Sequence, residues 1–261
     1  RLVVMAAGAA NRPAGRITEV FKTSADREGA YKFLENPKFE AETISLASHV
    51  ACAERCAEEL SVFVPVDGSS LSLADPKKTK EGLGSVGNRS KNGRGIEVMN
   101  AIAVTKEGIP LGLTGQAFWA RPEKKNPIPS KKRNIEDKET RFWFTAINQT
   151  LDAFIRANSR TIPWFQLDRG GDFREMLGWA AHSSVWLTVR AAQNRRVFES
   201  DEAYLWDSVT AADFIGTYTL SVSAGPKRKE RQAQMEVKLC PVTIRVPNPW
   251  THQEEEVTLY A

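Results

Sequence analysis

Two aspartates stand where strand-like runs stop. Asp67 follows Val62-Phe63-Val64-Pro65-Val66 and leads into Gly68-Ser69-Ser70. Asp168 follows Ile162-Pro163-Trp164-Phe165-Gln166-Leu167 and leads into Arg169-Gly170-Gly171-Asp172. A carboxylate at the end of a buried strand projects from the sheet edge and can share a divalent cation with a second one. Hard oxygen ligands suit Mg²⁺ or Mn²⁺, and two such ions can clamp both oxygens of a phosphoryl displacement. Strands also end in Asp-Gly turns that carry no chemistry. On spacing alone both readings stay open.

Cations are distributed so as to favour the first. Between positions 121 and 141 eight Lys or Arg (Arg121, Lys124, Lys125, Lys131, Lys132, Arg133, Lys138, Arg141) face four acids. Arg89, Lys91 and Arg94 cluster in a Gly-rich loop placed to reach a substrate, and a second block runs from Lys227 to Arg231. Arg190 ends a strand-like run, where a guanidinium can engage phosphate bidentately. Basic loops around a carboxylate site suit a polyanionic substrate, although the net charge of +4 by itself says nothing. Asp172, four residues after Asp168, is read as a helix cap, and His182 as structural. Trp119 and Trp143 are read as core residues. Cys52 and Cys56 share a helical face with His49 nearby and are read as small buried thiols. With Cys240 they make three, too few for a disulfide framework, so a reducing compartment is expected.

The elements that must position these residues follow from periodicity. With 41% apolar and 26% charged residues, the 261-residue chain has the composition of an ordinary globular protein. No apolar run reaches the ~18 residues of a membrane span. The opening residues lack an initiator Met and are too short for a signal peptide, which reads as a cut inside a longer product. Residues 1–60 are predicted helical. One helix starts at a Ser24 cap, with Tyr31 and Leu34 as its apolar face, and stops at Asn36-Pro37. A second covers about 40–60. Strands are predicted over 62–67, 98–104 and 109–119, the last two forming a hairpin. Pro65 demands a bulge or an unpaired position. A helix over 137–156 carries Phe144, Ile147, Leu151, Phe154 and Ile155. Strand 162–167, helix 172–181 and strand 185–190 complete a mixed α/β order. Residues 191–261 alternate like antiparallel strands over 218–223, 235–246 and 256–260, which suggests a β-rich subdomain.

Several motifs in this order resemble the insertion-sequence-4 family of bacterial DDE transposases. They are Glu28-Gly29-Ala30-Tyr31-Lys32-Phe33-Leu34-Glu35-Asn36-Pro37, Asp67-Gly68-Ser69-Ser70-Leu71-Ser72, Gly84-Ser85-Val86, residues 112–121, Asp168-Arg169-Gly170-Gly171-Asp172 and residues 186–190. The likeness covers roughly residues 25–190. It implies a ribonuclease-H-like mixed sheet with helices on both faces, incomplete here, over residues 61–190. Residues 1–60 would then be a partial DNA-end-binding segment and 191–261 a β-rich insertion. In that fold the first and fourth strands are neighbours. Asp67 and Asp168 are the implied first two members of an Asp-Asp-Glu set holding two Mg²⁺ (or Mn²⁺) ions. Arg89, Lys91, Arg94, Arg121 and Arg190, from the basic loops and a strand end, are the candidate DNA contacts.

The resemblance implies cut-and-paste cleavage and strand transfer on duplex DNA, by a homodimer at paired transposon ends. The setting would be the bacterial cytoplasm, on the nucleoid, with no membrane. No covalent nucleophile is needed, so Ser69, Ser70, Ser72 and Ser85 are read as loop or strand residues. The sequence departs from the family in two places. The Tyr-x2-Arg-x3-Glu-x6-Lys signature that supplies the third acid is absent, and its expected place lies beyond Ala261. Gly170-Gly171 replaces the family's Glu-Ala. A ribonuclease-H-like nuclease and an inactive DNA-binding fragment are the alternatives.

Overall fold

The computed structural model describes the chain except residues 1, 14, 88–92, 123–125, 130–131, 199–202 and 227. Four helices come first: α1 (Leu2–Asn11), α2 (Ile17–Val20), α3 (Ser24–Leu34) and α4 (Ala41–Arg55). The cap of α3 is Thr23 rather than Ser24, its hydroxyl accepting the Asp26 N–H at 3.1 Å. This helix buries its small Gly29 and Ala30, while Tyr31 and Leu34 point outward, the reverse of the face expected. In α4 the thiols of Cys52 and Cys56 are fully buried, as their spacing suggested.

The sheet is mixed. Strands β1 (Ser61–Ser72), β2 (Gly84–Ser85), β3 (Arg94–Val104) and β4 (Pro110–Trp119) pair antiparallel, β3 taking β1, β2 and β4 as partners. After α5 (Arg141–Arg156), β5 (Ile162–Leu167) joins β1 in parallel. Then, after α6 (Arg174–His182), β6 (Trp186–Val189) joins β5 in parallel. The spatial order is therefore β4-β3-β1-β5-β6, with β2 also on β3. Only β3 and β4 are joined by a short turn; β1 reaches β3 through a longer loop that contains β2, and each parallel step needs a crossover, here built by α5 and α6.

Helices α4 and α5 cover one face. Val62, Val64, Val66, Ala101, Ala103 and Phe165 meet Ala146, Ile147 and Phe154 in one core. The apolar stripe of α5 runs through Phe142, Trp143, Ala146, Ile147, Thr150, Ala153 and Phe154. Ile155, expected on this stripe, is 76% exposed. At Gly115 a Cβ would lie 2.2 Å from the Ala146 carbonyl oxygen, so only glycine lets α5 sit this close to β4. Among the described residues no helix covers the centre of the opposite face, where Phe63, Pro65 and Ile102 remain exposed. Helices on both faces were expected; among the described residues, α4 and α5 pack on one.

Pro65 lies opposite Gln166 in the parallel ladder, while the ladder to β3 skips Val64 and Pro65 and resumes in the same register at Val66. The missing N–H thus costs a gap and no bulge. The run expected over 235–246 is two strands in different sheets. Strands β7 (Phe214–Val222) and β8 (Arg231–Lys238) form one hairpin, and β9 (Pro241–Pro247) and β10 (Glu254–Tyr260) another. Between β6 and β7, α7 (Leu205–Ala211) shares a second core with Val242, Ile244 and Val246. The β9–β10 hairpin docks on α6, where Gly178 approaches the Pro247 carbonyl and His182 pairs with Glu255 at 2.9 Å. His182 is structural, as read from the sequence. Among the described residues no helix is long and apolar enough to cross a membrane.

Candidate metal and phosphate site

Asp67 and Asp168 sit side by side. Val66 and Leu167 are the last paired residues of the β1–β5 ladder, and an aspartate follows each. Adjacent strands run ~4.8 Å apart, and residues one step beyond a paired position share a face. Asp168 keeps an extended backbone (φ −76°, ψ −169°), so the alternation continues through it. Both aspartates are exposed on the face opposite the helices, since Val66 and Leu167 are buried beneath α5. At this spacing the two carboxylates can ligate one ion at ~2.0–2.6 Å.

Asp67 does not end its strand. β1 continues to Ser72 because β3 pairs with it as far as Gly95, opposite Ser72. What stops at Val66 is the ladder to β5. Each carboxylate is held by a local N–H: Asp67 Oδ1 accepts from Gly68 at 2.8 Å, and Asp168 Oδ1 from Gly170 at 2.7 Å. Gly171 lets the turn after Asp168 fold back on its own strand, since a Cβ there would lie 2.6 Å from the Leu167 Cβ. Both contacts leave most acceptor capacity of the two carboxylates unused.

A polar row crosses the sheet at this level. Arg190 follows Val189, the partner of Leu167, and its N–H bonds the Leu167 carbonyl at 3.0 Å. On the other side Asp67 pairs with Asn100 of β3, and Asn100 with Gln116 of β4. The order across the strands is Arg190, Asp168, Asp67, Asn100, Gln116. Arg190 and Arg169 are exposed, and among the described residues neither has an ion-pair partner. Arg169, Asn100 and Gln116 went unnoticed in the sequence. For Arg169 a signal existed, since a cation beside a metal-binding acid suits phosphate. For the two amides none did, because only strand register places them here.

The remaining cations behave differently. Arg89 and Lys91 lie outside the described residues. Arg94 is bonded to buried Asp75 at 3.0 Å, and Asp75 also accepts the Thr79 N–H at 3.0 Å, fixing the 75–80 loop. Arg121 bridges Glu97 and Glu139, each at 2.7 Å, and these carboxylates, Glu139 foremost, raise its pKa. Glu97 lies opposite Ser70 and on the other face from Asp67 by strand alternation, so Arg121 is turned away from the aspartates. Both guanidinium groups serve the chain's own loops.

Asp172 is not the cap expected for α6, whose preceding residue Phe173 makes no side-chain cap. Its buried carboxylate instead accepts the N–H groups of Ala192 (2.6 Å) and Gln193 (3.2 Å) and pairs with Arg195. It ties the segment after β6 to the turn after β5. Among the described residues no group of three or more His, Cys, Asp or Glu is arranged to hold a metal ion. The described residues fit two ligands of a divalent-cation site and supply no third. A groove of about 960 Å³ lies between β6, α6, α7 and the β9–β10 hairpin, lined by apolar residues such as Leu177, Leu205, Val242 and Leu259. It contains neither aspartate. No family model matches the chain.

Proposed function

We propose that the chain acts in metal-dependent DNA strand transfer of the insertion-sequence-4 transposase type, with Asp67 and Asp168 as two of the cation ligands. Its motifs resemble those of the transposon-5 transposase. One observation carries the reading: two aspartates 101 positions apart in sequence follow directly on partnered residues of adjacent parallel strands and expose their carboxylates on one face. The strand order β4-β3-β1-β5-β6, antiparallel on one side and parallel on the other, supports the ribonuclease-H-like fold that the resemblance implies. Arg190 and Arg169, without an ion-pair partner among the described residues, suit a phosphodiester substrate.

Bound there, Mg²⁺ or Mn²⁺ would supply Lewis acidity and charge neutralisation at phosphorus. The protein's share is to hold two oxygen ligands in fixed register, to attract the DNA strand through Arg190 and Arg169, and to keep the pair open to a duplex. Asp67 is paired within the β1–β3 ladder and Asp168 directly follows the last rung of the β1–β5 ladder, which restricts their separation. Pairing of two DNA ends by a homodimer belongs to the same proposal.

The test is duplex-DNA binding by fluorescence anisotropy, with and without Ca²⁺ or Mn²⁺. Wild-type chain should bind more tightly with the cation, and Asp67→Asn and Asp168→Asn should lose that increment. Binding that ignores both the cation and the aspartates would overturn the proposal.

A further inference from the structure

We propose that Asn100 is a substrate-binding residue that donates an N–H to a phosphate oxygen of the strand held at the carboxylate pair. The inference rests on the reading of Asp67 and Asp168 as a phosphodiester site. Asn100 faces Asp67 directly across the antiparallel β1–β3 ladder, so their Cβ atoms lie ~4.5–5.5 Å apart on the same face.

The amide is held in one orientation from behind. Gln116 Nε2 donates to Asn100 Oδ1 at 2.6 Å, and the Gln116 backbone N–H donates to Gln149 Oε1 of α5 at 2.7 Å. This second bond anchors β4 just before its register with β3 shifts between Ala101 and Ile102. With Oδ1 taken, Nδ2 is the free end of the amide. The reverse orientation would set an acceptor against the acceptor-only carboxylate of Asp67.

Asp67 receives its hydrogen bond from Gly68, and Asn100 Nδ2 donates to none of the described residues. A partly buried amide group therefore presents two unused donors beside the acid pair. Leaving such donors unpaired is unfavourable, and phosphate oxygens offer strong acceptors. Being neutral, the amide adds a contact without repelling the cations that the aspartates would hold, as a lysine there would.

The experiment compares Asn100→Ala, Asn100→Leu and Asn100→Ser with wild type in two titrations: duplex DNA in the presence of Ca²⁺, and Mn²⁺ alone. Loss of a hydrogen bond to the charged phosphate should weaken DNA binding about 10–100-fold in the Ala and Leu variants, while Ser, which keeps a donor, stays closer to wild type. Mn²⁺ affinity should be unchanged in all three, because Asn100 acts on the substrate and not through Asp67. Should Asn100→Ala fail to fold, Asn100→Leu, which preserves the volume, decides.

DNA affinity equal to wild type in the Ala and Leu variants, while Asp67→Asn still loses the cation-dependent increment, would overturn this inference alone. A parallel drop in Mn²⁺ affinity would do the same, by making Asn100 a support for Asp67. If wild type itself binds DNA without regard to cation or Asp67, the proposed function falls and takes the inference with it.

Discussion

Val66 and Leu167 form the last rung of the parallel ladder between β1 and β5, and the next residue on each strand is an aspartate. That register converts a sequence separation of 101 positions into neighbouring carboxylates on one face. Everything proposed for this chain depends on it, because a slip of one residue would turn Asp168 into the core face and bury an unpaired charge.

The pair should bind Mn²⁺ weakly, with a dissociation constant on the order of 10⁻³ M, as two carboxylates without further protein ligands allow. Isothermal titration should show this binding lost in Asp67→Asn and in Asp168→Asn alike. Loss in one variant only would mean that the carboxylates do not share an ion.

DNA binding should weaken as salt rises, since each phosphate neutralised by Lys or Arg releases counterions at a slope of ~−0.9 per contact. Replacing Arg190 or Arg169 by Ala should reduce the slope by about 1 each. Arg121→Ala should leave it unchanged, because that guanidinium is engaged by Glu97 and Glu139. Salt titrations of the three variants separate phosphate contacts from internal ion pairs.

The chain by itself should not cut or join DNA. Among the described residues no third ligand completes a metal site. Incubation with Mg²⁺ and duplex substrate, resolved on a denaturing gel, should leave the strands intact. Cleavage abolished by Asp67→Ala would show that a third acid lies within these 261 residues.

Asp172→Ala should destabilise the fold by about 3 kcal/mol, because it leaves the Arg195 charge and two backbone N–H groups without their acceptor. The pair is well buried, the side chains being 11% and 3% exposed for Arg195 and Asp172. Urea denaturation gives the value. A change below ~0.5 kcal/mol would show that the segment after β6 is held by other contacts.

Burial lowers the His49 pKa below its ordinary 6.5. The folded chain therefore carries this imidazole neutral where the unfolded chain has begun to protonate it. Its contribution to stability is complete above pH 6.5, declines as pH falls below that, and levels off beneath the folded-state value. His49→Gln should flatten this part of the stability–pH curve in denaturant titrations. An unchanged slope would mean that His49 remains solvated.

Local pattern made much of this molecule legible. The sequence placed β5 at its observed bounds because turn signals bracket a short β-branched and aromatic run. The strands 98–104 and 109–119 were found for the same reason, and the gap at Pro65 followed from its missing N–H. Helix α5 was found too, but its buried stripe was displaced, with Ile155 exposed. A helical period is readable from one element, whereas the direction of its face depends on what packs against it. Likewise the single run read over 235–246 breaks at 239–240, because its halves pair with different partners.

The aspartates were visible as residue types, and their adjacency came from the resemblance and from β-pairing, not from spacing. Which cations are free was not legible at all. Arg94, Arg121 and Arg190 look alike in sequence, yet the first two meet carboxylates from distant segments while Arg190 lies level with Asp168 at the end of its strand. Asn100 and Gln116 had no signal, since an amide inside a strand gains a role only from its cross-strand neighbours. Chain pattern fixes which elements form, through short-range sterics and hydrophobic period. Register and ion pairing join residues far apart in sequence, so only the tertiary structure decides them.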